Sequence, residues 1–162
     1  MWWRNALSLL GAALLLASCG FAPLYGPGGP GDTLHNRLEL AAPTTTNEFT
    51  FVNRVETRLG RAASAPMRVD YEITTSRTGG AITADQETQR HALSGTVTYK
   101  VVDTASGAVL STGTTQNFTS YSATGTTVAT GTAERDAHKR LMVILADQMV
   151  THLMATAETF LP

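Results

Sequence analysis

The chain has 162 residues, with 12 Lys and Arg against 13 Asp and Glu, and a formal net charge of −1 at pH 7. That length suits one domain with a real core. With no global positive field, nucleic acid is set aside as a partner and any anion must rest on a local patch; the single cysteine excludes a disulfide within one copy.

The N-terminus carries the sharpest signal. Arg4 is the only charge before Asp32, and it precedes the apolar run Ala6 to Ala17. A positive start followed by a short apolar stretch is the layout of a secretory signal. A membrane span needs roughly 20 apolar residues, more than this run supplies. The run ends Leu16-Ala17-Ser18-Cys19-Gly20, which resembles a bacterial lipobox: an apolar residue and two small ones before a cysteine. A thiol is the nucleophile that accepts diacylglycerol, and small residues fit the peptidase that would cut between Ser18 and Cys19. Residues 1–18 are therefore expected to be a lipoprotein signal peptide and Cys19 the lipidated residue. Two or three fatty acyl chains, palmitate among them, meet the condition that stable anchoring takes more than one chain. Gly20 stands where lipoproteins kept in the inner membrane often carry Asp, so the expected destination is the outer membrane, with the protein anchored by lipid rather than inserted.

Residues 19–33 are expected to be the lipidated cysteine and a tether, since residues 20–33 hold three prolines and five glycines with little to pack. Residues 34–162 then read as a single domain. Leu38 and Leu40 alternate with Arg37 and Glu39 in a short first strand closed by Pro43. Thr44-Thr45-Thr46-Asn47 supplies cap candidates; Phe51, Val52, Val55 and Leu59 recur at helical spacing, and Gly60 stops the helix. After Pro66, Val69, Tyr71 and Ile73 alternate with Arg68, Asp70 and Glu72 in a half-buried strand that Gly79-Gly80 breaks.

From His91, Leu93, Val97, Tyr99 and Val101 share a face opposite Ser94, Thr96, Thr98 and Lys100. Thr104-Ala105-Ser106-Gly107 turns the chain into a further strand, roughly Val109 to Tyr121, as a hairpin. From about Thr127 the period becomes helical. Ala137, Leu141, Ile144, Leu145, Gln148, Met149 and Leu153 fall on one stripe, in a helix reaching about Glu158. The pattern β-α-β-β-β-α predicts an α+β fold: a two-layer sandwich of an about four-stranded mixed sheet with two helices packed on one face. Thr is frequent in the strands, where β-branching favours extended backbone and the hydroxyl keeps an outer face wet.

No catalytic pattern stands out. His35, His91, His138 and His152 are scattered, without an i, i+4 pair or a second cysteine, so no metal site is legible. No nucleophile elbow, P-loop or dinucleotide fingerprint occurs on a strand-to-helix turn. The expectation is a protein that is not an enzyme and takes no cofactor. Two basic stripes remain: Arg54, Arg58 and Arg61 on the first helix, and Arg135 and Lys139 on the second. Such stripes are usually solvated helix faces; the sharper reading is contact with an anion or with polar groups of a partner.

Cys19-Gly20-Phe21-Ala22-Pro23-Leu24-Tyr25-Gly26 resembles the C-G-F-x-P-L-Y-G start of one branch of the LptE family of lipopolysaccharide-assembly lipoproteins. Ile82-Thr83-Ala84-Asp85, Leu93 to Tyr99, Asn117 to Tyr121 and Glu134 to Ala137 continue the likeness in order. The resemblance implies a sheet packed by two helices, standing inside the outer-membrane β-barrel LptD as a plug and assembly factor. It also implies lipopolysaccharide as the transported lipid and a further ligand, although no motif transfers the family's lipid-contacting positions. The alternatives are a solitary periplasm-facing lipoprotein that binds a small ligand or envelope partner, and a lipid-anchored hydrolase, which would need a polar triad.

Overall fold

The computed structural model describes residue 26 and residues 28–79 and 90–161. The signal segment, Cys19 and the Ile82-to-Asp85 motif lie outside the described residues. The element order is α1 (Pro30–Leu34), β1 (Leu38–Leu40), α2 (Thr46–Leu59), β2 (Met67–Gly79), β3 (Arg90–Asp103), β4 (Val109–Ser122) and α3 (Thr127–Thr156), closed by the 3₁₀ turn Ala157–Thr159.

The four strands form one sheet in the order β1-β2-β3-β4. β1 runs parallel to β2, with Leu38 beside Met67, while β2–β3 and β3–β4 are antiparallel. The mixed sheet with helices packed on it is the architecture that the periodicities predicted. A parallel pair needs a crossover, and α2 supplies it. Thr45 caps α2 by accepting from the Glu48 N–H at 3.2 Å, and Glu48 in turn accepts from the Thr44 N–H and hydroxyl, a variant of the reciprocal cap. Gly60 ends the helix at φ 79°, and a Cβ there would strike the Asn36 side chain. Only glycine fits on both counts.

Two observations move expected boundaries. Residues 30–33, read as tether, belong to α1. Pro30 opens that turn, the Thr33 hydroxyl bonds the Gly29 carbonyl at 2.9 Å, and Leu34 is fully buried. The buried arc of α3 is also wider than the expected stripe. Ala137, Leu141, Leu145, Met149 and Leu153 are buried as read, but Met142, Ala146, Val150 and Met154 join them, while Ile144 and Gln148 are half-exposed. The reason is that α3 packs on two neighbours, the sheet and α2, so its covered face is broader than one sheet alone demands.

The core lies between the helices and the inner face of β2–β4, with Phe51, Val55, Val69, Val97, Leu141 and Leu145 all at 0% exposure. α3 comes so near the sheet that a Cβ on Gly95 would sit 2.9 Å from Leu145 Cδ1 and 3.0 Å from Leu141 Cδ2. None of the described helices is long and apolar enough to cross a membrane.

Candidate functional site

The sheet's second face is uncovered by either helix. Strand alternation places Thr74 and Ser76 of β2, Thr96 and Thr98 of β3, and Thr112, Thr114 and Gln116 of β4 on it. Thr74 lies opposite Thr96, which lies opposite Gln116. Charge on this face lies in Arg90 at one end and, with Glu72, toward the other end near the β3–β4 turn. There Asp70 accepts from Arg68 at 2.8 Å and faces Lys100 at 3.5 Å. The Arg68 hydrogen bond, helped by both cations, outweighs burial and holds the Asp70 carboxyl below its ordinary range. Phe118, 71% exposed, is the large apolar side chain on this surface. The outcome is a broad hydroxyl and amide surface, suited to many weak polar contacts.

The basic residues read from the sequence go to different places. Arg54 and Arg58 reach across to α3 and share Asp147, at 2.9 and 3.1 Å, so they join the two helices. Burial by itself would raise the Asp147 carboxyl; hydrogen bonds from both arginines and their charges outweigh it and leave its pKa lowered. Arg61 is paired with Glu56 at 2.9 Å on α2's own surface. Arg135 and Lys139 are exposed on α3, with Arg135 donating to the Thr132 hydroxyl at 3.2 Å. The first stripe is thus split between an interhelix clamp and a local pair, and the second faces solvent. Asp147 had no signal in the sequence, because its partners lie 89 and 93 residues away.

The histidines are likewise dispersed. His138 Nδ1 meets Asn47 Nδ2 at 3.2 Å, His152 Nδ1 shares a hydrogen bond with the Tyr99 hydroxyl, and His91 stacks beside Tyr121. Burial pushes the Tyr99 hydroxyl up to about 12, which keeps it protonated at neutral pH. Among the described residues no three His, Cys, Asp or Glu side chains come together to hold a metal.

Against known families, the model described as "LptE: Lipopolysaccharide-assembly" matches residues 36–153. The chain belongs to the LptE family. No curated protein matches it in sequence. Solved structures that share the fold include three lipoproteins. A putative lipoprotein from Caulobacter crescentus CB15 is 18% identical with a TM-score of 0.67, covering 82% of this chain and 98% of its own. The rare lipoprotein B from Shewanella oneidensis is 13% identical at 0.57, over 75% and 93%. A minor lipoprotein from Acinetobacter baumannii is 20% identical at 0.56, over 74% and 90%. The match begins at residue 36, so family membership rests on the folded domain and not on the motif around Cys19.

One further feature of this LptE-family domain lies at its outer edge. A groove of about 700 Å³ runs between β4 and α3, bordered by Thr114, Thr115 and Gln116 on one side and Ile144, Gln148 and Thr151 on the other. Thr115 Oγ1 and Gln148 Oε1, both sealed from solvent, have no hydrogen-bond partner there.

Proposed function

We propose that the protein is an outer-membrane lipoprotein, lipidated on Cys19 after removal of residues 1–18, that plugs an LptD-type β-barrel and assists its assembly for lipopolysaccharide transport. The observation that carries the barrel reading is the uncovered sheet face, which offers hydroxyls and amides across the middle of three strands. The lumen of an outer-membrane barrel is polar. A wall that exchanges hydrogen bonds with such a face loses little on giving up water, whereas an apolar face would be mismatched there. Membership of a lipopolysaccharide-assembly family supports the same reading. The exposed pair Arg135 and Lys139 is the remaining candidate for contact with an anionic headgroup or with acidic groups of the barrel wall; Arg54, Arg58 and Arg61 serve that role only by giving up their present carboxylates.

Depletion of the protein tests this. Correctly assembled barrel in the outer membrane and lipopolysaccharide at the surface should both fall. Unchanged levels of both would favour a solitary lipoprotein that takes a small ligand.

A further inference from the structure

β4 is an edge strand of 14 residues, with no strand among the described residues paired to its outer side. Long edges are normally blunted by lysine, proline or inward-pointing charge, because their unpaired N–H and C=O groups recruit other strands. Val109 to Ser122 contains no proline and no charged residue. In an antiparallel ladder alternate residues turn their backbone groups to one neighbour and then the other. The Phe118 N–H donates to its neighbour Asn117 Oδ1 at 2.7 Å, and the Ser120 carbonyl accepts from Arg140 at 3.3 Å. Even-numbered positions therefore face away from β3, and Thr112, Thr114 and Gln116 present backbone donors and acceptors outward. That stretch is the one bordering the groove under α3, where Thr115 Oγ1 and Gln148 Oε1 lack partners.

We propose that an extended, uncharged segment of the barrel partner adds to β4 as a further strand and lays alternate side chains into the groove against α3. The inference rests on the barrel reading above. An added strand satisfies the outward backbone groups of Thr112, Thr114 and Gln116, and a hydroxyl or amide side chain on it supplies the donor that Gln148 Oε1 lacks. Strand addition beside a helix takes affinity from the backbone ladder and selectivity from the side-chain groove. A second copy of this chain is the alternative occupant, and the crosslinking below separates the two.

The test uses the full chain, tagged at its C-terminus and extracted from its own cells in mild detergent. A photo-crosslinking residue at Thr151, on the groove's helical wall, should capture the barrel through one extended, uncharged stretch. Thr114→Pro removes an outward N–H without breaking a β3–β4 bond, and should cut that crosslink and the barrel recovered by about tenfold, the worth of one well-placed hydrogen bond. Should Thr114→Pro melt early, Thr151→Trp fills the groove from the helix side, leaves the β4 backbone untouched, and should give the same loss. Barrel recovered equally by wild type and by folded forms of both variants overturns strand addition while the barrel reading stands. Thr151 crosslinking to a second copy also overturns it. No barrel with the wild type overturns both readings.

Discussion

Asp147 shows how one carboxylate can hold two helices in register. Its two arginine partners come from successive turns of α2, so the contact fixes both the spacing and the rotation of α2 on α3. Its side chain is 32% exposed, and solvent screens the pair, so Asp147→Asn should cost roughly 1 kcal/mol or less at pH 7. The pH dependence follows from the lowered pKa. A carboxyl depressed on folding contributes stability that is present above the unfolded value, about 4, and is lost as pH falls through the folded value. Wild type should therefore melt above Asp147→Asn at pH 7, and the gap should shrink as acid protonates the folded carboxyl, below the pH at which a free one titrates; a gap unchanged by acid would remove the ion pair as its cause. At the other end of the chain, Cys19→Ser should leave an uncleaved, unlipidated precursor, because a serine hydroxyl does not replace the thiol in acyl transfer. Intact-mass measurement checks this, with the wild type expected to show a diacylglyceryl cysteine followed by Gly20.

Among the elements, α3 organises the core. Leu145 is fully buried, and its methyl group rests over the Cα of Gly95. Leu145→Ala should cost about 2–5 kcal/mol through lost transfer energy and the cavity left behind, and Leu145→Asp should abolish folding by burying an unpaired charge. Thermal melts of the domain without its N-terminal segment would show both; melts within a degree or two of wild type would mean that α3 turns another face to the sheet. Period-2 alternation located β1, β2 and β3, the turn at Thr104 to Gly107 led to β4, and a 3.6 period located α2 and α3, because each of these elements buries one face and wets the other. The alternation failed to show how far α3 is covered, since Met142, Ala146, Val150 and Met154 are buried against a second helix whose position no local pattern encodes. Pro30 to Thr33 misled for the opposite reason: a stretch rich in glycine and proline looks unpackable, yet Leu34 at its end pulls it onto the core.

For the molecule as a whole, the surfaces that matter are defined by strand order. The hydroxyl-rich alternation was legible residue by residue, and the absence of charge from Val109 to Ser122 can be read directly. That this uncharged strand stands at the edge, beside a groove under α3, appears only once the order β1-β2-β3-β4 is known. The same order grades the backbone by how tightly it is locked. β3 is paired along nearly its whole length on both sides, β1 through three residues on one side. Amide hydrogens on β3 should then exchange with deuterium only through opening of the whole domain, while β1 and α1 exchange through smaller excursions. On β4 the labels should divide by parity, with Thr112, Thr114 and Gln116 exchanging in seconds to minutes while Thr115 between them, bonded to β3, stays protected for hours, a contrast that capture of a partner strand would erase.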